Sequence, residues 1–171
     1  MRTKIRTLAA LAAVALAVGG LAACGSSESK DAKPRVLRFL SVDRSFAAIG
    51  GFKQGAPRVG DRFLFTTAIY RPGAKPNEPS GKPIGRGVPL CTVLTAGGPF
   101  GKEAACSGPV YLPGGYLLVS DAFSFARHGK VVGAVTGGVG AYANARGTID
   151  FTTLRQNGGR QTSEVVIRLV P

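Results

Sequence analysis

The chain has 171 residues, with 22 Lys+Arg against 9 Asp+Glu, a formal net charge of +13, 44% hydrophobic residues, 25 Gly, 11 Pro, 3 Cys and no Trp. That length suits one domain, the apolar content excludes a disordered chain, and the glycines follow no period of three, which excludes collagen. Glycine and proline at this level point to many tight turns and few long helices, and the charge points to nucleic acid or an anionic surface if it survives processing and clusters.

The first 23 residues read as an export signal. Arg2, Lys4 and Arg6 precede an apolar run from Leu8 to Val18, too short for an ordinary membrane span, and small residues follow. Leu21-Ala22-Ala23-Cys24 resembles a bacterial lipobox. That resemblance implies cleavage before Cys24, lipid on its sulfur and a lipid-anchored protein outside the cytoplasm. The alternative is an ordinary secretory signal cut near Ala23, with Cys24 a free thiol. Cleavage removes three basic residues and no acidic one, so +13 becomes +10. Residues 24–34 form a polar tether; its nine residues GSSESKDAK span roughly 15–18 Å if flexible. The domain proper is then 35–171.

Eight strands are predicted along the mature chain: 36–42, 62–71, 84–94, 103–111, 115–127, 130–136, 146–154 and 162–170. Each is an apolar or β-branched run between Gly, Pro, Asn or Asp clusters. In the second, Phe63, Phe65, Thr67 and Ile69 share a face. Residues 72–83 are a Pro-rich loop that either covers an opening or is a solvated connection. Cys91 and Cys106 are separated by a segment containing Gly97-Gly98-Pro99, which lets their strands turn back on each other. Two remaining cysteines in an exported domain are expected to pair. Two Cys and one His without a CxxC make no metal site.

In the fifth strand Asp121 shares parity with Leu117, Val119, Phe123 and Phe125. If that face is interior, the acid is buried with its pKa raised, as acid–base work requires; if a bulge flips the parity, it points to water. The hairpin signal Arg127-His128-Gly129-Lys130 places the single histidine in a turn, which argues against a Ser-His-Asp hydrolase. Gly137, Gly138 and Gly140 are expected to form a sharp turn or bulge. Asn157-Gly158-Gly159 is a further turn signal. Tyr70, Tyr111 and Tyr116 could supply hydroxyls to a pocket, although barrel strands also carry tyrosine for packing. The basic residues are scattered without a run or interleaved aromatics. Nucleic acid is therefore not expected as a partner; anionic lipid or envelope polymer fits better.

Eight consecutive antiparallel strands suit a closed barrel, which leaves no exposed edge and encloses either packed side chains or one small ligand. The segment Val135-Thr136-Gly137-Gly138-Val139-Gly140-Ala141-Tyr142, followed by Ala145-Arg146-Gly147 and preceded by LPGGYLLVSDAF, resembles the allene oxide cyclase and dirigent barrel superfamily. Gly60-Asp61, opening the second strand, fits the same pattern, and the resemblance spans roughly residues 36–171. It implies an eight-stranded antiparallel barrel with an apolar pocket for a small hydrophobic molecule. It further implies cyclase, isomerase or coupling-guide chemistry that works by orientation and without a cofactor. It assigns pocket roles to an acid at the end of the first strand, matched by Asp43, and to Arg146. Asp121, Arg146 and Asp43 are thus the candidate catalytic residues, with Tyr70, Tyr116 and Tyr142 as candidate ligand contacts. A non-catalytic carrier or sensor, or an envelope lipoprotein with a filled barrel, is the alternative. The oligomeric state stays open.

Overall fold

The computed structural model describes residues 34–53, 56–74, 81–97, 102–125, 129–157 and 160–170. The export signal, Cys24, His128 and Gly158-Gly159 lie outside them. The described residues form strands β1 (Arg35–Ile49), β2 (Arg62–Tyr70), β3 (Gly85–Gly87), β4 (Leu90–Ala96), β5 (Lys102–Leu112), β6 (Gly115–Ser124), β7 (Lys130–Gly140), β8 (Arg146–Asn157) and β9 (Arg160–Val170). Every pairing is antiparallel, and β1 pairs with both β2 and β9, so the sheet closes on itself.

The barrel has eight positions because β3 and β4 share one. Both pair with β2 on one side and β5 on the other. They are separated at Val88-Pro89, where proline has no N–H to give the ladder. The predicted third strand, 84–94, is this interrupted pair.

β1 and β7 run furthest past their predicted ends, and β8 also continues to Asn157. The first continues to Ile49 through a register shift between Asp43 and Ser45, leaving Arg44 as the extra residue. The predicted strand 130–136, here β7, continues through Gly137–Gly140, where a sharp turn or bulge was expected. Its register skips Thr136 opposite Leu118 and Val119, so a bulge is present, but the chain reverses only over residues 141–144.

Side chains facing the lumen change character along the barrel axis. At one end Ile69, Leu117, Val119, Val135, Ile149, Val165, Ile167 and Leu169 form a dry plug under Tyr142, with Leu117, Ile149 and Ile167 fully buried. At the other end lie Phe52, Phe63, Cys91, Val93, Ala104 and Cys106, with Phe65, Phe123 and Phe125 beside them. The first end is closed. At the second, lumen-facing Phe65, Asp121, Phe123, Val131, Phe151 and Thr153 are only half-buried, so this end is the mouth.

Cys91 and Cys106 sit opposite each other in the β4–β5 hairpin and form a disulfide, as expected. It faces the lumen below the mouth. Replacing both cysteines by alanine is expected to lower stability by about 3 kcal/mol, the chain-entropy value for a loop of this size. The shift of the urea midpoint measures it.

Candidate functional site

Asp43 and Asp121 both point into the lumen. On β6, Asp121 continues the inward face of Leu117 and Val119. On β1, Asp43 follows Leu37, Phe39 and Ser41, which pair with inward Ile167, Val165 and Ser163 of β9.

The register also fixes their relative height. From Asp121 one path runs through Gly133, Ile149 and Ile167 to Leu37. The other runs through Cys106, Cys91 and Phe63 to Ala48. Because strands tilt in a closed barrel, the point on β1 level with Asp121 lies midway between those two landings. That midpoint is Val42-Asp43, and Asp43 is the one that faces inward. With β1 and β6 four positions apart among eight, the two carboxylates face each other across the lumen.

Their surroundings are apolar. In register beside Asp121 are Cys106, held in the disulfide, and Gly133. A Cβ on Gly133 would stand 2.8 Å from the Asp121 Cβ, so glycine leaves the carboxylate room. Among the described residues, none gives Asp121 a hydrogen bond or an ion pair. Asp43 accepts one long bond from the Gln161 backbone N–H, at 3.3 Å. Burial pushes both carboxyls up from the ordinary aspartate range to about 6; for Asp43 the Gln161 bond offsets part of that rise. Asp150 is the contrast. It faces the outer wall, bonds Arg168 at 2.6 Å and Lys130 at 3.0 Å, and is held below the ordinary range by these cations.

Toward the mouth stands a collar of phenylalanines. The Phe63 ring lies 4.9 Å from Phe52, 5.4 Å from Phe46 and 6.0 Å from Phe125, and Phe123 lies 5.2 Å from Phe125. Toward the plug, Ser41, Thr67 and Ser163 give a ring of buried hydroxyls. The site is thus an aromatic entrance, two opposed acids and a closed apolar floor.

The other candidate residues are not brought there. Arg146 is exposed on the outer wall at the closed end, where it donates to the Ala145 carbonyl at 2.8 Å. Tyr142 is buried in the plug and its hydroxyl donates to the Pro113 carbonyl at 3.3 Å. Tyr70 points outward into a small cluster with Leu40, Val42 and Ala68, and its hydroxyl accepts a bond from Arg44. Tyr116 lies on the outer wall, 5.6 Å from the Tyr111 ring. The expectation that these groups line the pocket is corrected: each has the outward parity of its strand or, for Tyr142, belongs to the floor. The loop after β2 starts at the closed end, where its Ala74 packs on the Tyr70 cluster; its residues 75–80 lie outside the described residues. A groove of about 620 Å³ lies between Arg44, Arg86, Tyr111 and Pro113, and neither acid lines it.

No family model matches the sequence, and no curated protein does. Solved structures do match. A pterocarpan synthase dirigent protein superposes with a TM-score of 0.66 at 16% identity, covering 80% of this chain and 84% of that one. This chain has the dirigent and cyclase barrel fold. Pyocyanin demethylase matches at 0.59 and 19% identity over 80% of this chain and all of that one. The exo-specific intermolecular Diels-Alderase AbnU matches at 0.57 and 11% over 80% and 99%. At these identities the likeness is one of fold, and the chemistry must be argued from the lumen.

Proposed function

We propose that this chain is an exported, lipid-anchored barrel that takes a small, largely hydrophobic molecule into its lumen and converts it by cofactor-free cyclisation or isomerisation. One observation carries the reading: two carboxyls on opposite walls of an otherwise apolar lumen, both raised to about 6. At that value one carboxyl can be protonated and donate while the other is ionised and accepts, near neutral pH. The enclosing wall supplies orientation and excludes water. A filled structural barrel is disfavoured, because inward-facing side chains near the mouth are only half-buried.

The anchor fits this arrangement. β1 begins at the closed end, so a lipid on Cys24 followed by the tether would hold that end toward the membrane. The mouth would open away from it, and the outward arginines would meet anionic lipid or envelope polymer.

Native mass spectrometry of the detergent-extracted chain tests the reading. A small molecule is expected to co-purify, and its mass to disappear when Gly133→Leu fills the space beside Asp121. An extracted chain that carries no ligand and takes up no aromatic probe would overturn it.

A further inference from the structure

We infer that the lumen is built for an organic cation, a flat aromatic molecule carrying a positively charged nitrogen. This rests on the lumen-pocket reading above and narrows its ligand to one charge class.

Charge is sorted by the sheet. The chain is strongly basic as a whole, yet Arg38, Arg62, Arg86, Arg146 and Arg168 are all exposed on the outer wall. The lumen holds two acids. The groups in register beside Asp43, Thr67 on β2 and Gln161 on β9, carry no charge, and neither do Cys106 on β5 and Gly133 on β7 beside Asp121. Among described strand positions with inward parity, the basic residues are Arg35 and Lys102, one at each end of the barrel. Arg35 pairs with Leu169 and lies 5.3 Å from the Tyr142 ring at the closed end, and Lys102 opens β5 at the rim, one pleat above Ala104. Two ionised carboxylates therefore share an apolar enclosure with no cation of the protein's own at their level.

A neutral guest would deepen the desolvation of both charges, and an anion would be repelled by them. A cation between them compensates both. The entrance agrees with this. Phe46, Phe52 and Phe125 each lie within 6.0 Å of Phe63, centroid to centroid, so the entrance is rich in π-systems, which attract cations.

The test compares 10-methylacridinium with neutral acridine and anionic acridine-9-carboxylate at pH 8, where both aspartates are ionised. The full chain is titrated in non-ionic detergent by fluorescence, with probe uptake by protein-free micelles subtracted. The cation is expected to bind at least tenfold tighter than acridine, and the carboxylate weakest. Asp43→Asn and Asp121→Asn are each expected to weaken the cation severalfold and to bind acridine at least as tightly as the unaltered chain does. Cation affinity is expected to fall as pH drops through about 6. If acridine binds as tightly as the cation, the charge inference fails while the pocket reading stands. If none of the three binds, both fail. The comparison of probes on the unaltered chain decides without depending on how the variants fold.

Discussion

Asp121→Asn is expected to stop the chemistry in the lumen and, at the same time, to make the barrel more stable at neutral pH. The two effects have one cause. Burial raises the Asp121 carboxyl to about 6, so the folded state binds its proton more tightly than the unfolded chain does. A raised carboxyl contributes stability that is fully present below the ordinary aspartate range and lost as pH rises through about 6. At pH 7 and above, the folded protein therefore carries a desolvated charge that the unfolded chain keeps in water. An amide of the same shape removes that charge, and a gain of about 1–2 kcal/mol is expected at pH 8. At pH 4, where the acid is largely protonated in the fold, the gain should shrink toward zero. Thermal melts at the two pH values measure it.

Turnover of the co-purifying molecule should move the other way. Losing a proton-transfer group costs about 10²–10⁴-fold in kcat, and KM should rise by far less. Asp43→Asn should behave alike, because the two acids face each other and both stand near 6. The rate of the unaltered protein should be bell-shaped around pH 6, where one protonated and one ionised member are most populated together. A variant that keeps its turnover would take its aspartate out of the chemistry, and an unaltered protein that releases its molecule unchanged would be a carrier. A variant that melts lower at pH 8 would make Asp121 a structural residue.

Much of this barrel is legible in its sequence because period-two alternation survives wherever a strand is free of bulges. β9 is the clearest case: Val165, Ile167 and Leu169 alternate with Glu164 and Arg168, and the structure buries the first three. Asp121 is legible for the same reason. The irregularity beside it is carried by β7, so β6 keeps its parity from Leu117 to Phe123. β1 is where the pattern breaks. Arg44 is an extra residue, and beyond it Phe46 and Ala48 take the inward face that Leu37, Phe39 and Ser41 held before it. The strand therefore reads as ending near Val42, and the aromatic collar loses Phe46 and Phe52 from view.

Arg146 and the tyrosines teach a different lesson. Parity alone places Tyr116 opposite to Leu117, Tyr70 opposite to Ile69 and Arg146 opposite to Ile149 by register. Family resemblance gave Arg146 a pocket role, and their hydroxyls suggested one for the tyrosines; this local rule supports neither. The opposition of Asp43 and Asp121 has no local signal at all. It emerges only when every strand pairing is known and the register is followed round the closed sheet.

The glycine motif carries the second large effect. Three of its glycines look alike in sequence and should respond very differently to a single added methyl. A Cβ on Gly147 would lie 1.9 Å from the Arg168 carbonyl oxygen, and its φ of +150° is one that side chains avoid. Both neighbours are strand backbone, so neither can give without breaking the β8–β9 ladder. Gly147→Ala is expected to cost about 3 kcal/mol or more. A Cβ on Gly138 would lie 2.3 Å from the Tyr142 carbonyl oxygen and 2.9 Å from the Tyr142 Cβ. This close approach is what lets Tyr142 fold over the closed end, so Gly138→Ala should cost about 1–3 kcal/mol by lifting the plug. Gly137 has nothing nearer than 3.6 Å and ordinary strand backbone. There alanine narrows the unfolded chain without a clash, and a gain of about 0.4–1 kcal/mol is expected. Urea midpoints of the three variants should therefore rank Gly147→Ala lowest, Gly138→Ala between and Gly137→Ala at or above the unaltered protein. Equal midpoints would mean that the motif serves something other than close packing of the β7–β8–β9 end of the barrel. The ranking places the cost of the motif at the floor of the lumen, well below the two acids. Gly138→Ala should accordingly lower stability without the loss of kcat expected for Asp121→Asn.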